Sequence, residues 1–339
     1  MKQARGISLK SANLLTEVNR RKTQVLIAVG LFVLVFVVAG LIGDGEAILA
    51  AVRRVELAVF GGMLALSLVN YLLRAWRWQI FSDRLRLCVP FPLTTCYFVA
   101  GFALTATPGK VGEALRLWLL KRGHGIAYSR SLGLLFGDRL ADITAIVLLT
   151  LVNLQGVADF GWAIVPAVAF VLALTIVFAR PRLAMLAISR VYGWIGVWPR
   201  LFAVFRRATR HIAHLASPGT YCVVMVLSLI GWLAEAVALY WLLTAMGAPL
   251  PIEVVVFVFS FSMLIGAAAM LPGGLGGTEA TMIGLLASFG VDFDTAVAAT
   301  AIIRVTTLWF SVLLGIVALP LSLRLTARER PARVIQAAA

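Results

Sequence analysis

The chain has 339 residues, of which 61% are apolar and 13% are charged, and its formal net charge is +15. Soluble domains average about 45–50% apolar and about 25% charged residues. This composition excludes a soluble globular enzyme, a disordered chain and a nucleic-acid-binding module as first interpretations, since the positive charges flank long apolar runs. We therefore predict an all-α polytopic integral membrane protein.

The apolar runs predict about six full membrane spans within a single domain over residues 25–322. A span needs about 20 mostly apolar residues. Residues 1–24 are polar and basic, and they form a predicted cytoplasmic N-terminal segment that precedes the first run. The runs that satisfy the length criterion are 25–42, 55–75, 131–155, 161–179, 220–246 and 295–322.

Two further apolar stretches, 91–122 and 252–290, are each interrupted near the middle by proline and glycine. Proline removes a helical hydrogen bond and glycine loosens the backbone, so each stretch is expected to form two short helices around a break. We predict two re-entrant hairpins. The alternative, in which a pair of tightly broken full spans replaces either hairpin, leaves the orientation of the chain unchanged. This alternative remains open.

Positive charge sets the predicted orientation, because Lys and Arg are enriched in cytoplasmic segments. Residues 1–24, the stretch 180–219 and the tail 323–339 are rich in these residues, so both termini are expected in the cytoplasm of a multi-pass inner-membrane protein. Helical spacing of apolar residues within 180–219 predicts an amphipathic segment on the anionic lipids of the inner leaflet.

The two broken stretches resemble each other and predict an internal repeat. Residues 107–114 and 271–280 both read Pro-Gly-x-apolar-Gly followed by Glu-Ala, with two extra residues in the second. An arginine follows at a matched distance, since Arg139 lies 31 residues after Pro108 and Arg304 lies 32 after Pro272. Repeat 1 covers about 55–155 and repeat 2 about 220–322. Their opposite predicted orientations indicate inverted topology, as in many secondary transporters.

Charged residues inside the membrane are costly and usually mark a cavity or a partner. Asp138 and Asp142 are four residues apart and share a helix face, whereas Arg139 points away and is available to another partner. Glu235, in the middle of its span, either exchanges protons or pairs with a base. The acids predicted to lie in membrane segments are Glu113, Asp138, Asp142, Glu235 and Glu279.

The helix starts after the two breaks are the predicted anion sites, because helix N-termini present free N–H groups and a positive dipole end. Lys110 and Arg116 reinforce the first, Thr278 is expected as the N-cap at the second, and Arg74 is expected to close the cytoplasmic vestibule. For Arg74 and Arg77, snorkelling to the interface is the alternative. The full set of candidate substrate-binding residues is Arg74, Pro108, Gly109, Lys110, Glu113, Arg116, Asp138, Arg139, Asp142, Pro272, Gly273, Gly274, Gly276, Gly277, Thr278, Glu279 and Arg304.

From about residue 20 to 325 the chain resembles the flippase-like transmembrane family, which includes the membrane half of lysylphosphatidylglycerol synthase/flippase (multiple peptide resistance factor). The segments that carry the resemblance are 70–78, 107–116, 137–142 and 271–280. The resemblance implies lipid translocation. The bifunctional synthases carry a soluble aminoacyl-transfer domain after the membrane part, but only about 17 residues follow the last predicted span here, so lipid aminoacylation is not expected.

We therefore expect a flippase or scramblase for a lipid with a phosphate-bearing headgroup. Its predicted cargo is a phospholipid, a hopanoid-linked lipid or a polyprenyl-phosphate lipid. No catalytic residue, cofactor, metal ion or nucleic acid is expected. Two alternatives stay open: a membrane-embedded transferase acting on a lipid phosphate, and a non-catalytic partner of a lipid- or glycolipid-synthesising enzyme.

Overall fold

A computed structural model describes residues 43–107, 111–152, 218–269 and 272–338, together with isolated positions elsewhere. The predicted N-terminal segment 1–24, the spans 25–42 and 161–179 and the basic segment 180–219 lie almost entirely outside these described residues, as do Pro108, Gly109 and Lys110.

The described residues form α-helices with short 3₁₀ and π segments and contain no β-strand. In the first half the helices are α1 (Gly45–Arg53), α2 (Leu57–Arg84), α3 (Phe91–Ala100, continued by a 3₁₀ turn Gly101–Leu104), α4 (Val111–His124) and α5 (Tyr128–Val152). In the second half they are α6 (Pro218–Ala245), α7 (Ile252–Ala268), a 3₁₀ turn at Pro272–Gly274, α8 (Gly277–Ser288), α9 (Phe293–Arg304), a π segment Val305–Trp309 and α10 (Phe310–Ala338).

The all-α membrane class is confirmed. By length and composition, three stretches of helix in the described residues could cross a bilayer: Leu57–Arg84, Gly219–Ala245 and the combined Phe293–Thr326. Phe91–Leu104 and Ile252–Ala268 are apolar but shorter. The total of about six spans stays a prediction.

Both Pro-Gly stretches form two short helices around a break, as predicted. In the first, α3 and its 3₁₀ turn precede the break and α4 follows it; in the second, α7 precedes and α8 follows. Gly273, Gly274 and Gly276 have positive φ at the second break, a conformation that non-glycine residues rarely adopt.

Glycine also lets the two arms of each hairpin approach closely. A Cβ atom at Gly112 would overlap the carbonyl oxygen of Gly101 on the other arm of the first hairpin. A Cβ atom at Gly266 would overlap the hydroxyl of Thr278 in the second. Close approach of backbones is how small residues stabilise helix contacts in membranes, where lipid tails are as apolar as the core.

Helices α2 and α6, the first elements of the two predicted repeats, pack against each other in antiparallel directions. Gly62 faces Trp241, Asn70 donates to the carbonyl of Gly231, and Arg77 donates to Ser228, so rising numbers on α2 meet falling numbers on α6.

The described core has two large apolar clusters and a small one between them. One cluster surrounds α6 to α9 and includes Leu239, Phe257, Met282 and Ile303. The other surrounds α2 to α4 and includes Trp78, Tyr97, Phe98 and Leu119. The small cluster, Ala106, Leu275, Leu308 and Val312, joins residues next to both breaks.

Candidate functional site: an arginine–carboxylate cluster beside two helix breaks

Arg77 of α2 is fully buried between two carboxylates of α5. Its Nε donates to Asp138 at 2.9 Å, its Nη2 lies 2.8 Å from Asp142 Oδ1 and also contacts Asp138, and its Nη1 donates to Ser228 at 2.7 Å. The i, i+4 spacing of the two aspartates places both on the face that meets α2. Every guanidinium nitrogen of Arg77 is therefore engaged.

Arg74, one turn before Arg77, binds the second of these carboxylates. Its Nη2 donates to Asp142 Oδ2 at 2.9 Å, and its guanidinium lies 5.3 Å from the ring centre of Trp232 on α6. The indole N–H of Trp232 donates to Asp142 Oδ1 at 3.1 Å. Asp142 thus joins helices α2, α5 and α6 through one side chain.

Arg139 connects the aspartates to the helix that follows the first break. It lies 3.3 Å from Glu113 of α4, 3.1 Å from Asp138 and 3.2 Å from Asp142. Glu113 is therefore the partner on another helix for which Arg139 was expected to be available. The Arg139 side chain also contacts the two aspartates of its own helix. The Arg139 and Glu113 side chains are 27% and 18% exposed, so this is the accessible edge of the cluster.

Arg116 lies near the same charges but pairs with no carboxylate in the described part of the chain. Its Nε donates to the carbonyl of Phe98 at 3.1 Å. Its guanidinium lies 3.9 Å from the ring centre of Phe98 and about 5 Å from those of Phe102 and Trp78, which are cation–π distances. Its charge interacts with those of Asp138, Arg139, Glu113 and Arg74.

We call Arg74, Arg77, Glu113, Arg116, Asp138, Arg139 and Asp142 the arginine–aspartate cluster. Two buried guanidinium nitrogens in it, Arg74 Nε and Arg116 Nη1, have no acceptor among the described residues, and Arg139 Nε lies 3.3 Å from a Glu113 carboxylate oxygen without forming a hydrogen bond. Buried polar groups are normally hydrogen-bonded, and a charged donor without an acceptor is especially costly. Two such donors in one cluster, beside a third that makes only an ion-pair contact, are the arrangement expected where an anion binds.

The second break is held by a clamp formed by Glu279 and Arg304. Arg304 Nε donates to Glu279 at 2.6 Å, and its Nη2 donates to the carbonyl of Gly273 at 2.8 Å. The other Glu279 oxygen accepts from the N–H of Gly276 at 2.6 Å. These side chains are 4% and 0% exposed, so this pair is closed whereas its counterpart, Arg139 with Glu113, is open.

The expected N-cap role of Thr278 is wrong. Gly276 occupies the N-cap position of α8, and Glu279 satisfies its backbone N–H from the first turn. Thr278 is instead buried, with its hydroxyl against Gly266 of α7. Glycine is favoured at Gly276 because the local φ is 86°, which threonine rarely adopts.

Ala106, which precedes the first break, lies near Gly273 of the second break, beside the π segment. A Cβ at Gly273 would lie 3.3 Å from Leu308 and 3.6 Å from Ala106, which precedes the first break. The hydroxyl of Tyr71 on α2 donates to the carbonyl of Thr307 within the π segment. Single π turns occur frequently at functional sites, and this one directly follows Arg304.

Comparison with known proteins gives this architecture a family. The sequence model of the protein family described as the lysylphosphatidylglycerol synthase TM region matches residues 24–315 of this chain. The chain belongs to this family. The resemblance seen in the motifs is therefore confirmed, and the family name supports a role connected with membrane lipids.

Curated relatives include several proteins described as UPF0104 membrane proteins. A UPF0104 membrane protein of Methanothermobacter thermautotrophicus is 24% identical over 329 residues, covering 89% of this chain and 96% of the relative. UPF0104 membrane proteins of Pyrococcus horikoshii and Methanocaldococcus jannaschii are 23% and 22% identical, covering 73% and 63% of this chain and 82% and 91% of their own lengths.

Within this member of the lysylphosphatidylglycerol synthase TM family, the predicted site residues fall into two groups. The first group comes together in the arginine–aspartate cluster and consists of Arg74, Glu113, Arg116, Asp138, Arg139 and Asp142. The second group forms the second break and its clamp and consists of Pro272, Gly273, Gly274, Gly276, Gly277, Thr278, Glu279 and Arg304. Pro108, Gly109 and Lys110 lie outside the described residues.

Sequence reasoning missed Arg77 as a site residue, and for this residue the snorkelling alternative is wrong. It is completely buried rather than exposed at an interface. A signal was present, because Asn70, Arg74 and Arg77 follow i, i+4, i+7 spacing and share one face of α2. Ser228 and Trp232 were also missed, since nothing in their local sequence shows that α6 packs against α2.

Proposed function

We propose that this protein moves a lipid with a phosphate-bearing headgroup between the leaflets of the inner membrane, by flipping or scrambling. The observation that carries the proposal is a set of guanidinium nitrogens that make no hydrogen bond among the described residues: Arg74 Nε, Arg116 Nη1 and Arg139 Nε, the last of which contacts only Glu113 at 3.3 Å. Phosphate oxygens supply several acceptors and the planar guanidinium group matches them well. The substrate-binding set predicted from the sequence is proposed on this basis.

The accessible side of the cluster supports entry of a headgroup. Arg139 and Glu113 are partly exposed, whereas Arg77 and Asp138 behind them have no exposure. A headgroup phosphate at the exposed edge would accept from Arg139 and Arg116 while the buried pair holds α2 and α5 together. Acyl tails would remain in the surrounding lipid, so only the polar headgroup needs a path through the protein.

Inverted topology supports movement of the site between the two sides. Three features fit two inverted repeats: the antiparallel packing of α2 and α6, the approach of Ala106 to Gly273, and the matching pairs Glu113–Arg139 and Glu279–Arg304. With both termini in the cytoplasm, as the charge distribution predicts, rocking of one repeat against the other would close the first pair and open the second.

Reconstitution in liposomes tests the function. Leaflet exchange is followed with labelled phosphatidylglycerol, labelled polyprenyl phosphate and labelled glucosylceramide, the last having no phosphate. We expect the protein to accelerate exchange of at least one phosphate-bearing probe and to leave glucosylceramide at the rate of protein-free vesicles. Equal acceleration of all three probes, or of none, contradicts the proposal.

Mass spectrometry of the same vesicles distinguishes the transferase alternative. Asp138, Asp142 and Glu113, the carboxylates of the arginine–aspartate cluster, each pair with an arginine. We expect the lipid masses to be unchanged after incubation with the candidate probes. A new lipid species that requires the protein would favour a transferase instead.

A further inference from the structure

Glu235 differs from the other four acidic side chains that lie within the described membrane helices. Glu113, Asp138, Asp142 and Glu279 each pair with an arginine. Glu235 is 5% exposed and makes neither a hydrogen bond nor an ion pair with any described residue. It lies on α6, in the middle of the helix that packs against α2, α5, α7 and α9. This carboxyl group is therefore buried without a partner.

The charged and titratable groups around Glu235 come from three of these four helices. α2 presents Tyr71 and Arg74, α5 presents Asp142, and α9 presents Arg304, all within electrostatic range. The acid on α7 is Glu253, which is exposed in its first turn, and the first-turn acid of α9 is Asp294, which accepts from the N–H of Asp44.

Both nearby arginines are already bound to other carboxylates. Arg74 pairs with Asp142 at 2.9 Å and Arg304 pairs with Glu279 at 2.6 Å. Glu235 interacts electrostatically with both arginines without a direct contact to either. It would gain a direct partner only if one arginine left its present carboxylate, which is the rearrangement that opening of the second pair requires.

A buried acceptor beside Gly231, one helical turn before Glu235, lacks a donor among the described residues. The amide nitrogen of Asn70 donates to the carbonyl of Gly231 at 2.7 Å, but Asn70 Oδ1 has no donor among the described residues. Glu235 lies one turn beyond Gly231 on the same face of α6. A protonated carboxyl group there carries an O–H donor, whereas an ionised one has only acceptors.

An isolated carboxylate in the membrane interior is costly, and the neutral acid avoids that cost. We propose that Glu235 is a proton-binding site that couples proton movement to headgroup translocation, which rests on the proposed function. It holds a proton while Arg74 and Arg304 stay bound to Asp142 and Glu279. When one arginine is released, Glu235 loses the proton to water and pairs with that arginine.

Infrared difference spectroscopy in lipid nanodiscs tests the protonation state without any need for transport. We expect a protonated-carboxyl band at neutral pH that is lost in Glu235→Gln and retained in the matched control Glu253→Gln. In Glu279→Gln, Arg304 loses its carboxylate partner, so the band is expected to weaken as Glu235 ionises. Should that variant fail to fold, Asp142→Asn, which releases Arg74, provides the same test.

Leaflet exchange of labelled phosphatidylglycerol in vesicles with a pH gradient tests the coupling. One coupled proton across a gradient of about one pH unit is worth up to about tenfold, so we expect the exchange rate to depend on the gradient in wild type and in Glu253→Gln. In Glu235→Gln the dependence should disappear. A wild-type exchange rate that does not change with the pH gradient overturns the proposed coupling.

The two measurements separate the inference from the proposed function. A wild-type spectrum without the Glu235 band overturns the proton site, whatever the transport result. The band would also be absent if Glu235 were ionised and paired with the ammonium group of a bound headgroup. A clear band together with no exchange of any lipid would support the proton site and count against lipid translocation.

Discussion

Replacement of Arg77 tests the interpretation that the buried side of the cluster holds the fold together. In Arg77→Ala the protein loses the donors to Asp138 and Ser228 and the ion pair with Asp142. Breaking a buried ion pair by removing one partner typically costs about 3–5 kcal/mol, because the remaining charge is left uncompensated. This side chain serves two carboxylates, so the effect should be large.

The remaining arginines reduce that cost. Asp138 keeps its contact with Arg139 at 3.1 Å, and Asp142 keeps Arg74 at 2.9 Å. We therefore expect a loss of about 3 kcal/mol, the lower end of the range for broken buried pairs. Arg77→Lys should recover only part of this, because a single ammonium does not reproduce the fork that reaches both carboxylates.

Equilibrium unfolding in mixed micelles, followed by tryptophan fluorescence, measures the effect. Arg84→Ala is the matched control, because Arg84 is an exposed arginine on the same helix. Surface substitutions usually change stability by less than about 0.5 kcal/mol. If Arg77→Ala and Arg84→Ala unfold with free energies within about 1 kcal/mol of each other, the buried network does not have the structural role assigned to it.

Three further substitutions are expected to lower the free energy of unfolding in the same assay. Gly112→Ala should cost about 1–3 kcal/mol because its Cβ overlaps backbone of the facing hairpin arm, whereas Gly284→Ala, which has open space around it, should not destabilise the protein. Asp292→Ala should cost about 0.5–2 kcal/mol because the aspartate accepts from two N–H groups at the start of α9. Tyr71→Phe should cost about 0.5–1.5 kcal/mol through loss of the hydrogen bond to Thr307. Equal stability of Gly112→Ala and Gly284→Ala would show that the close approach at Gly112 does not matter for stability. Wild-type stability of Asp292→Ala or of Tyr71→Phe would show that the hydrogen bonds of that residue do not contribute.

Local chemistry made the breaks predictable. Proline and glycine act on the backbone at the place where they occur, so the starts of α4 at Val111 and α8 at Gly277 follow from the sequence. The cap at Asp292 was predictable for the same reason. The role of Thr278 was not, because the choice between it and Gly276 depends on a backbone φ of 86°.

Partner identity was less predictable, because it depends on which helices pack together. Spacing alone indicated that Arg139 and Arg304 are equivalent, and the structure pairs each with the glutamate that follows its break. Arg77 lies near the end of an apolar run, where arginines commonly reach the interface. Its burial follows from the packing of α5 and α6 on α2, which no local pattern shows.

We propose that Arg139, the accessible arginine of the cluster, contacts the headgroup during translocation. The most direct measurement is the initial rate of leaflet exchange of labelled phosphatidylglycerol by Arg139→Ala, beside Arg324→Ala, an exposed arginine of α10. Loss of a charged hydrogen bond, about 1.5–3 kcal/mol, predicts a rate about 10- to 150-fold lower for Arg139→Ala and an unchanged rate for Arg324→Ala. A folded Arg139→Ala protein that exchanges lipid at the wild-type rate would contradict the account.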